Sequence, residues 1–339
     1  MSKTVKLADI AQRVGVSVVT VSKALSGQKG MSEEMREKIV SIANELGYVQ
    51  PSARKQEERQ SHNIGVLIHE KYLGEYSFYW QMYQKLAQYA TGHACFSMFE
   101  VVSEEMENGG TVPKIIEENK TDGIVIIGTL QKKYIKKITE QADVPIIFMD
   151  YMDRNQSEDA VIPDSYYGGY YMTNYLIAQG HKKIAYVGTI GVTGSIMDRY
   201  LGYVKSLSEN GIEVRKDWVI DDRDILTGGI DEEKKIRLPK EMPTAFFCNC
   251  DLTAGALIKK LEKEGFRVPE DVSVAGYDDF IYPGLCDVEL TTYAVDMTQM
   301  AKVAVKNLIR KIEGRPYRSG TSIIEGKIIV RDSVKKIKN

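Results

Sequence analysis

The chain has 339 residues, 43% of them hydrophobic, with 45 Lys or Arg against 47 Asp or Glu and a formal net charge of −2. Such a chain can bury large cores in two or three domains, and its balance excludes a protein that is basic throughout. No apolar run approaches the roughly 18 residues of a membrane-spanning helix, and the polar N-terminus lacks a signal-peptide pattern, so a cytoplasmic protein with no membrane partner is expected.

The first feature is DIAQRVGVSVVTVSKALSG, residues 9–27. Ile10, Ala11 and Val14 recur at helical spacing, Gly15 interrupts, and Val21, Ala24 and Leu25 resume the pattern; the spacing predicts two short helices meeting at a turn. Ser17 is placed to cap the second helix, and Gly27, just beyond Ser26, to stop it. With Val21 and Leu25 inward, the outward face carries Val18, Val19, Ser22, Lys23 and Ser26, which with Ser17 and Thr20 form a row able to enter a DNA major groove. Lys23 can donate to a guanine edge or a phosphate, and Val18 and Val19 can touch thymine methyls. The alternative is a small helical hairpin packed on another part of the chain.

A third helix is predicted after Ser32: Glu33 and Glu34 suit a first turn, and Met35, Ile39, Ile42, Ala43 and Leu46 make an apolar stripe ending at Gly47. Residues 1–63 hold ten Lys or Arg against seven Asp or Glu, a net of +3, which leaves 35 against 40, or −5, for the remainder. The positive excess therefore sits on the segment proposed to meet phosphates.

Beyond residue 63, apolar strands alternate with amphipathic helices. NIGVLIH (63–69), CFSMFEV (95–101), DGIVIIG (122–128) and VPIIFMD (144–150) read as strands, with helices near 79–91, 112–119 and 131–141 between them. A second set follows: KKIAYVG (182–188), TAFFCN (244–249), VSVAGYD (272–278) and TTYAV (291–295), with helices near 166–179, 196–209, 252–264 and 297–313. This predicts two similar lobes, each a parallel sheet covered by helices.

KLADIAQRVGVSVVTVSKALSG, followed by MSEEMREKIVSIANELGYV and then IGVLI, resembles the lactose-repressor family of bacterial transcription regulators, and the likeness runs over nearly the whole chain. It implies a three-helix helix-turn-helix head (1–50), a hinge (51–63) and a periplasmic-binding-protein-like α/β body of two lobes (64–339), with SIIEGKIIVRDS carrying the chain between lobes. The linker departs from the family, whose members usually place a minor-groove leucine there. PSARKQEERQS keeps Pro51, Ala53 and Arg54 but has Gln56 where leucine would stand. Arg54 and Lys55 are left as candidate phosphate contacts.

Ligands of open α/β sheets bind outside the carboxyl ends of the strands. Asp150, Asn249, Asp251 and Asp278 follow such ends, and Arg199 stands on the helix after IAYVG. The resemblance matches Asp150, Arg199 and Asp278 to positions that hold small effectors; where relatives show Asn-Asp, this chain has Cys250-Asp251. For each there is a structural alternative, helix capping for the aspartates and an ion pair for Arg199. In YLGEYSFYW (72–80), Tyr76, Phe78, Tyr79 and Trp80 are candidates to stack on a sugar ring, or else core or dimer-surface residues.

Catalysis finds little footing. The four histidines, His62, His69, His93 and His181, stand near no serine elbow or second histidine at metal spacing, and there is no glycine-rich phosphate loop. Cys95, Cys248, Cys250 and Cys286 suggest neither a disulfide framework nor a metal site. The expectation is a non-enzymatic regulator without cofactor: a homodimer on near-palindromic double-stranded operator DNA, governed by a small effector such as a sugar or sugar derivative. A sugar-binding transport receptor would explain the body but not the head.

Overall fold

The computed structural model describes residues 5–25, 31–46, 48, 61–74, 77–153, 158–224 and 236–337. Ser26, Gly27, Arg54, Lys55, Gln56 and Tyr76, all singled out above, lie outside the described residues. The chain divides into two compact units, Met1–Ser61 and His62–Asn339.

The first unit holds α1 (Leu7–Val14), α2 (Val18–Leu25) and α3 (Glu33–Glu45). Gly15 ends α1 with φ +79°, and its N–H donates to the Ala11 carbonyl, so the bend uses the left-handed freedom of glycine. Ser17 Oγ accepts from the Thr20 N–H at 3.1 Å, and Ser32 Oγ from the Met35 N–H at 3.4 Å. Ile10, Val21 and Ile39 are fully buried, one from each helix, and with Ala11, Ala24 and Ala43 they close a small core.

The second unit has two sheets, each six-stranded among the described residues. Lobe 1 is built on β1 (Asn63–His69), β2 (Phe96–Val102), β3 (Gly123–Ile127), β4 (Ile146–Met149), β5 (Asp159–Pro163) and β11 (Thr321–Ile324), in the order β11-β5-β4-β3-β1-β2, every pair parallel. Lobe 2 is built on β6 (Ile184–Val187), β7 (Val219–Ile220), β8 (Ala245–Cys248), β9 (Ser273–Asp278), β10 (Thr291–Ala294) and β12 (Lys327–Ile329), in the order β12-β10-β9-β8-β6-β7. Only the β10–β12 pair is antiparallel. Central strands are buried along their length because helices cover both faces, and this makes them read as continuous apolar runs.

The helices of lobe 1 are α4 (Phe78–Thr91), α5 (Glu104–Gly109), α6 (Lys114–Glu117) and α7 (Lys132–Gln141). Those of lobe 2 are α8 (Ser165–Ala178), α9 (Gly194–Glu209) and α10 (Asp251–Lys263), while α11 (Met297–Ile312) returns to pack on α4, β3, β4 and β5. The chain crosses between lobes after β5, after β10 and after β11, as the resemblance implies for SIIEGKIIVRDS. Two tyrosines tie the crossings together: Tyr277 donates to the Asp164 carbonyl at 3.2 Å, and Tyr293 Oη accepts from the Gly326 N–H at 3.0 Å. Their rings stack with centroids 5.0 Å apart.

Helices α8 and α9 touch backbone to backbone. A Cβ on Gly202 would lie 2.1 Å from the Tyr166 carbonyl oxygen, and one on Gly169 2.3 Å from that of Arg199. The glycines of YYGGYY thus serve helix–helix as well as helix–sheet contact, since a Cβ on Gly168 would meet the Tyr277 ring. Several elements differ from expectation, the short strands β7, β11 and β12 among them. The helix expected at 112–119 is only the single turn α6. Helix α5, capped by Ser103 Oγ, is too short for periodicity to reveal. Strand β5 ends in Pro163, a residue that weakens a strand reading; the proline closes the strand rather than interrupting it.

Candidate functional site

In the first unit, α2 turns Val21 and Ala24 inward, and the opposite face is left to solvent. Val18 is 44% and Val19 64% exposed, and Ser22 and Lys23 are exposed beside them. Apolar side chains so exposed on a helix that has a core face available mark a surface with another use. Ser17 is committed to the cap, its Oγ also lying 2.8 Å from Thr20 Oγ1, so it shapes the helix start.

In the second unit, charged groups converge where the carboxyl ends of β4 and β9 face each other across the lobes. Asp150 follows β4 and Asp278 ends β9, with φ +57° and +106°, conformations that L residues rarely adopt, and neither caps a helix. Asp150 Oδ2 accepts from Tyr79 Oη at 2.9 Å. Tyr79 stacks on Tyr72, centroids 4.3 Å apart, and Tyr72 donates to the Thr129 carbonyl at 3.2 Å. Gly128, φ +78°, leaves room for both rings.

Arg199 is 5% exposed. Its Nη1 donates to the Asn249 carbonyl at 2.5 Å, its Nη2 lies 3.2 Å from Asp278 Oδ1, and the guanidinium sits 3.7 Å above the Tyr277 ring. The Arg199–Asp278 pair is close but not aligned as a hydrogen bond. Arg199 Nε and Asp278 Oδ1 both lack a hydrogen-bond partner among the described residues. Burial pushes Asp278 up to about 7 against the pull of Arg199, and Asp150 adds to the rise. Burial likewise raises Asp150, moderated by Arg199 and by the Tyr79 bond. For Arg199, burial opposes the charge, but Asp278, then Tyr277 and Asp150, hold its pKa above the usual value.

Phe78 meets Phe280 of the other lobe edge to face, centroids 6.1 Å apart. Trp80 does not join them. It packs on Tyr83 and Phe99 and stays 41% exposed.

Asn249 and Asp251 were expected to offer polar groups to a ligand, and the structure corrects this. The Asn249 amide donates to the Val187 carbonyl, Asp222 Oδ2 and Thr253 Oγ1, while its oxygen accepts from Arg223. Asp251 is fully buried and accepts from Thr292 Oγ1 at 2.6 Å and from the Phe280 N–H at 2.7 Å; burial raises its pKa well above the usual range. Both side chains are spent inside lobe 2, Asn249 on the Asp222–Arg223 network and Asp251 on Thr292 and the Phe280 N–H.

Sequence reasoning missed Asp222 and Arg223, which follow β7. Asp222 is fully buried and accepts from the Thr189 N–H, Arg223, Asn249 and Thr253. Burial alone would raise its pKa, but the Arg223 bonds more than offset this and hold it at about 2. A run of four charges, Asp221 to Asp224, after a short apolar strand was the only signal. Among the described residues, no group of three His, Cys, Asp or Glu could hold a metal ion, and no helix is long and apolar enough to cross a membrane.

Comparison with known proteins bears on both units. Residues 6–51 match the family described as bacterial regulatory proteins, lacI family, and residues 173–334 match the periplasmic binding protein-like domain. The HTH-type transcriptional repressor PurR of Vibrio vulnificus is 27% identical over 332 residues, covering 97% of this chain and 98% of that protein. The ribose operon repressor of Haemophilus influenzae is 26% identical with the same coverage. Among solved structures, the transcriptional regulator CelR–cellobiose complex superimposes with a TM-score of 0.66 at 22% identity, covering 97% of this chain and 99% of that one. The lac repressor dimer bound to operator and the anti-inducer ONPF does so at 0.65 and 23%, covering 98% and 100%.

Proposed function

The chain belongs to the lactose-repressor family of bacterial regulators, and from that premise we propose that it represses transcription by binding operator DNA as a homodimer, released or retained by a small polyhydroxyl effector held between its lobes. The domain plan that goes with this is a DNA-binding head at 1–50, a hinge at 51–63 and an effector-binding body at 64–339; the division at Ser61/His62 falls within that hinge.

The exposed face of α2 supports groove reading, with Val18, Val19, Ser22 and Lys23 meeting base edges and Ser17 and Thr20 setting the helix start against the backbone. One head is too small for the specificity a genome demands, and a second half-site read by a two-fold partner supplies it. The aromatic cluster of Trp80, Tyr83 and Phe99, with Trp80 41% exposed, supports pairing of two copies through lobe 1. A protein that reads the chromosome works in the cytoplasm.

The observation that carries the effector reading is Arg199. It is buried among Asp278, Tyr277 and the Asn249 carbonyl, it lies against the residue whose hydroxyl fastens the first crossing, and its Nε is left over. An effector oxygen bound there bears on Tyr277, and through Tyr277 on the geometry between lobes. Such a ligand shifts the DNA-competent population by its differential affinity for the two lobe arrangements. Asp150 and Asp278 accept effector hydroxyls, and Tyr79 and Phe78 wall the ring. The test is Arg199→Ala in the full-length chain: operator affinity without effector stays within about threefold of the parent, and the response to effector is lost. A normal response would place the effector elsewhere.

A further inference from the structure

We propose that Arg223 is a further effector contact, and that it selects a polyhydroxyl molecule carrying an oxyanion, a sugar carboxylate or sugar phosphate, over a neutral sugar. The inference rests on the reading of the interlobe cleft as the effector site. Arg223 follows β7 at the carboxyl edge of lobe 2, the edge that also carries Asn249 after β8 and Asp278 at the end of β9.

The guanidinium is held on two of its three nitrogens. Nε donates to Asp222 at 3.0 Å, and Nη2 donates to Asp222 Oδ2 at 2.7 Å, Asn249 Oδ1 at 3.0 Å, Thr253 Oγ1 at 3.2 Å and Cys250 Sγ at 3.3 Å. Nη1 has no partner among the described residues, and the side chain keeps 14% of its surface exposed while Asp222 keeps none. With Nε and Nη2 engaged, Nη1 is the nitrogen of the fork left to donate among the described residues.

That arrangement is a poor way to stabilise lobe 2 and a good way to present a donor. A buried ion pair contributes little net stability against an apolar replacement, because desolvation consumes most of the attraction. What Asp222 does achieve is to lock the fork: its own lone pairs are met by Thr189, Asn249 and Thr253, so it cannot swing away with the arginine. A planar guanidinium held this rigidly loses little freedom on binding, and its geometry matches carboxylate and phosphate oxygens.

Asp278 farther along the same edge, and Asp150 of lobe 1 across from it, have the complementary chemistry. Asp150 and Asp278 are acceptors suited to hydroxyl groups, and Asp150 is already turned to a hydroxyl, that of Tyr79. A ligand with hydroxyls at one end and an oxyanion at the other satisfies both ends; a neutral sugar leaves the Arg223 edge without an acceptor of matching charge.

The test is isothermal titration of the full-length chain with neutral sugars (glucose, galactose, ribose), their anionic counterparts (gluconate, glucuronate, galacturonate, glucose 6-phosphate, ribose 5-phosphate) and inorganic phosphate alone. The expected result is that at least one anionic sugar binds about tenfold or more tighter than its neutral parent, a preference that weakens with salt. Arg223→Gln removes that preference, and Arg223→Lys restores part of it, which also reports that the lobe folds. Carboxylate and phosphate sources separate by which anionic members bind. The proposal is overturned if no anionic sugar binds, if neutral parents bind as tightly, if phosphate alone accounts for the binding, or if Arg223→Gln keeps the preference. Neutral sugars that bind, and lose binding in Asp278→Asn but not in Arg223→Gln, would leave the cleft reading standing and this inference refuted.

Discussion

The outward face of α2 and the carboxyl edge of lobe 2 are both rich in polar side chains, and they treat them in opposite ways. On α2 the groups stand in water on a helix whose core contacts are made by other residues. At the lobe edge Asp222 and Asn249 are buried and bound to each other and to Arg223, Asp251 is buried against Thr292 and the Phe280 N–H, and Arg199 is buried beside Asp278. A face of the first kind changes specificity at little cost in stability; an edge of the second kind cannot change without the lobe feeling it.

The comparison breaks most sharply at Asp222. Asp222→Ala leaves Arg223 buried without its counter-ion, and we expect a loss of about 3–5 kcal/mol in denaturant unfolding of the body. A change below 1 kcal/mol would show that the network relaxes and that the edge is no more committed than α2. Next comes Lys23→Ala, with a cost of about 1–3 kcal/mol in operator affinity if Lys23 reads a guanine, and no shift in melting temperature. If Lys23 touches phosphate alone, affinity falls evenly over all sequences and the salt slope drops by about one.

The head was the more legible region, and the reason is physical. A helix-turn-helix announces itself within twenty residues, through the spacing of Ile10, Val14, Val21 and Ala24 and through glycine and serine at the bend, all of it local. The fully buried strands were legible for the same reason. Asp150 and Asp278 were singled out because they follow strand ends, where open sheets bind ligands, and Arg199 through the family resemblance. Asp222 and Arg223 were not, because what brings them to Asn249 is the register of β6, β7 and β8, a non-local fact. Asn249 and Asp251 misled for the converse reason: they stand at the right strand end, but hydrogen bonding turned their side chains inward.

Asp278 sharpens the comparison through pH. Its pKa in the folded chain, raised to about 7, lies above its unfolded value, so its contribution favours the folded state below about pH 4 and is lost as pH rises through 7. We expect about 1 kcal/mol of stability to disappear between pH 6 and 7, and Asp278→Asn to flatten that fall. A profile that rises over this window would mean the carboxylate is stabilised by Arg199 more than burial opposes it. The smallest effect belongs to Ser17→Ala, about 0.5–1 kcal/mol from loss of the α2 cap, confined to melting of the head. An equal loss in the body would contradict the separateness of the two regions.

The central claim is that α2 decides where the protein binds and the interlobe cleft decides when. Selection of duplexes from a randomised pool by the full-length chain, by Lys23→Ala and by Arg199→Ala tests it in one measurement. The account predicts that the parent enriches a near-palindrome with two half-sites, that Arg199→Ala enriches the same sequence, and that Lys23→Ala relaxes a symmetric pair of positions within it. It is contradicted if no sequence is enriched, if Lys23→Ala selects as the parent does, or if Arg199→Ala selects a different site.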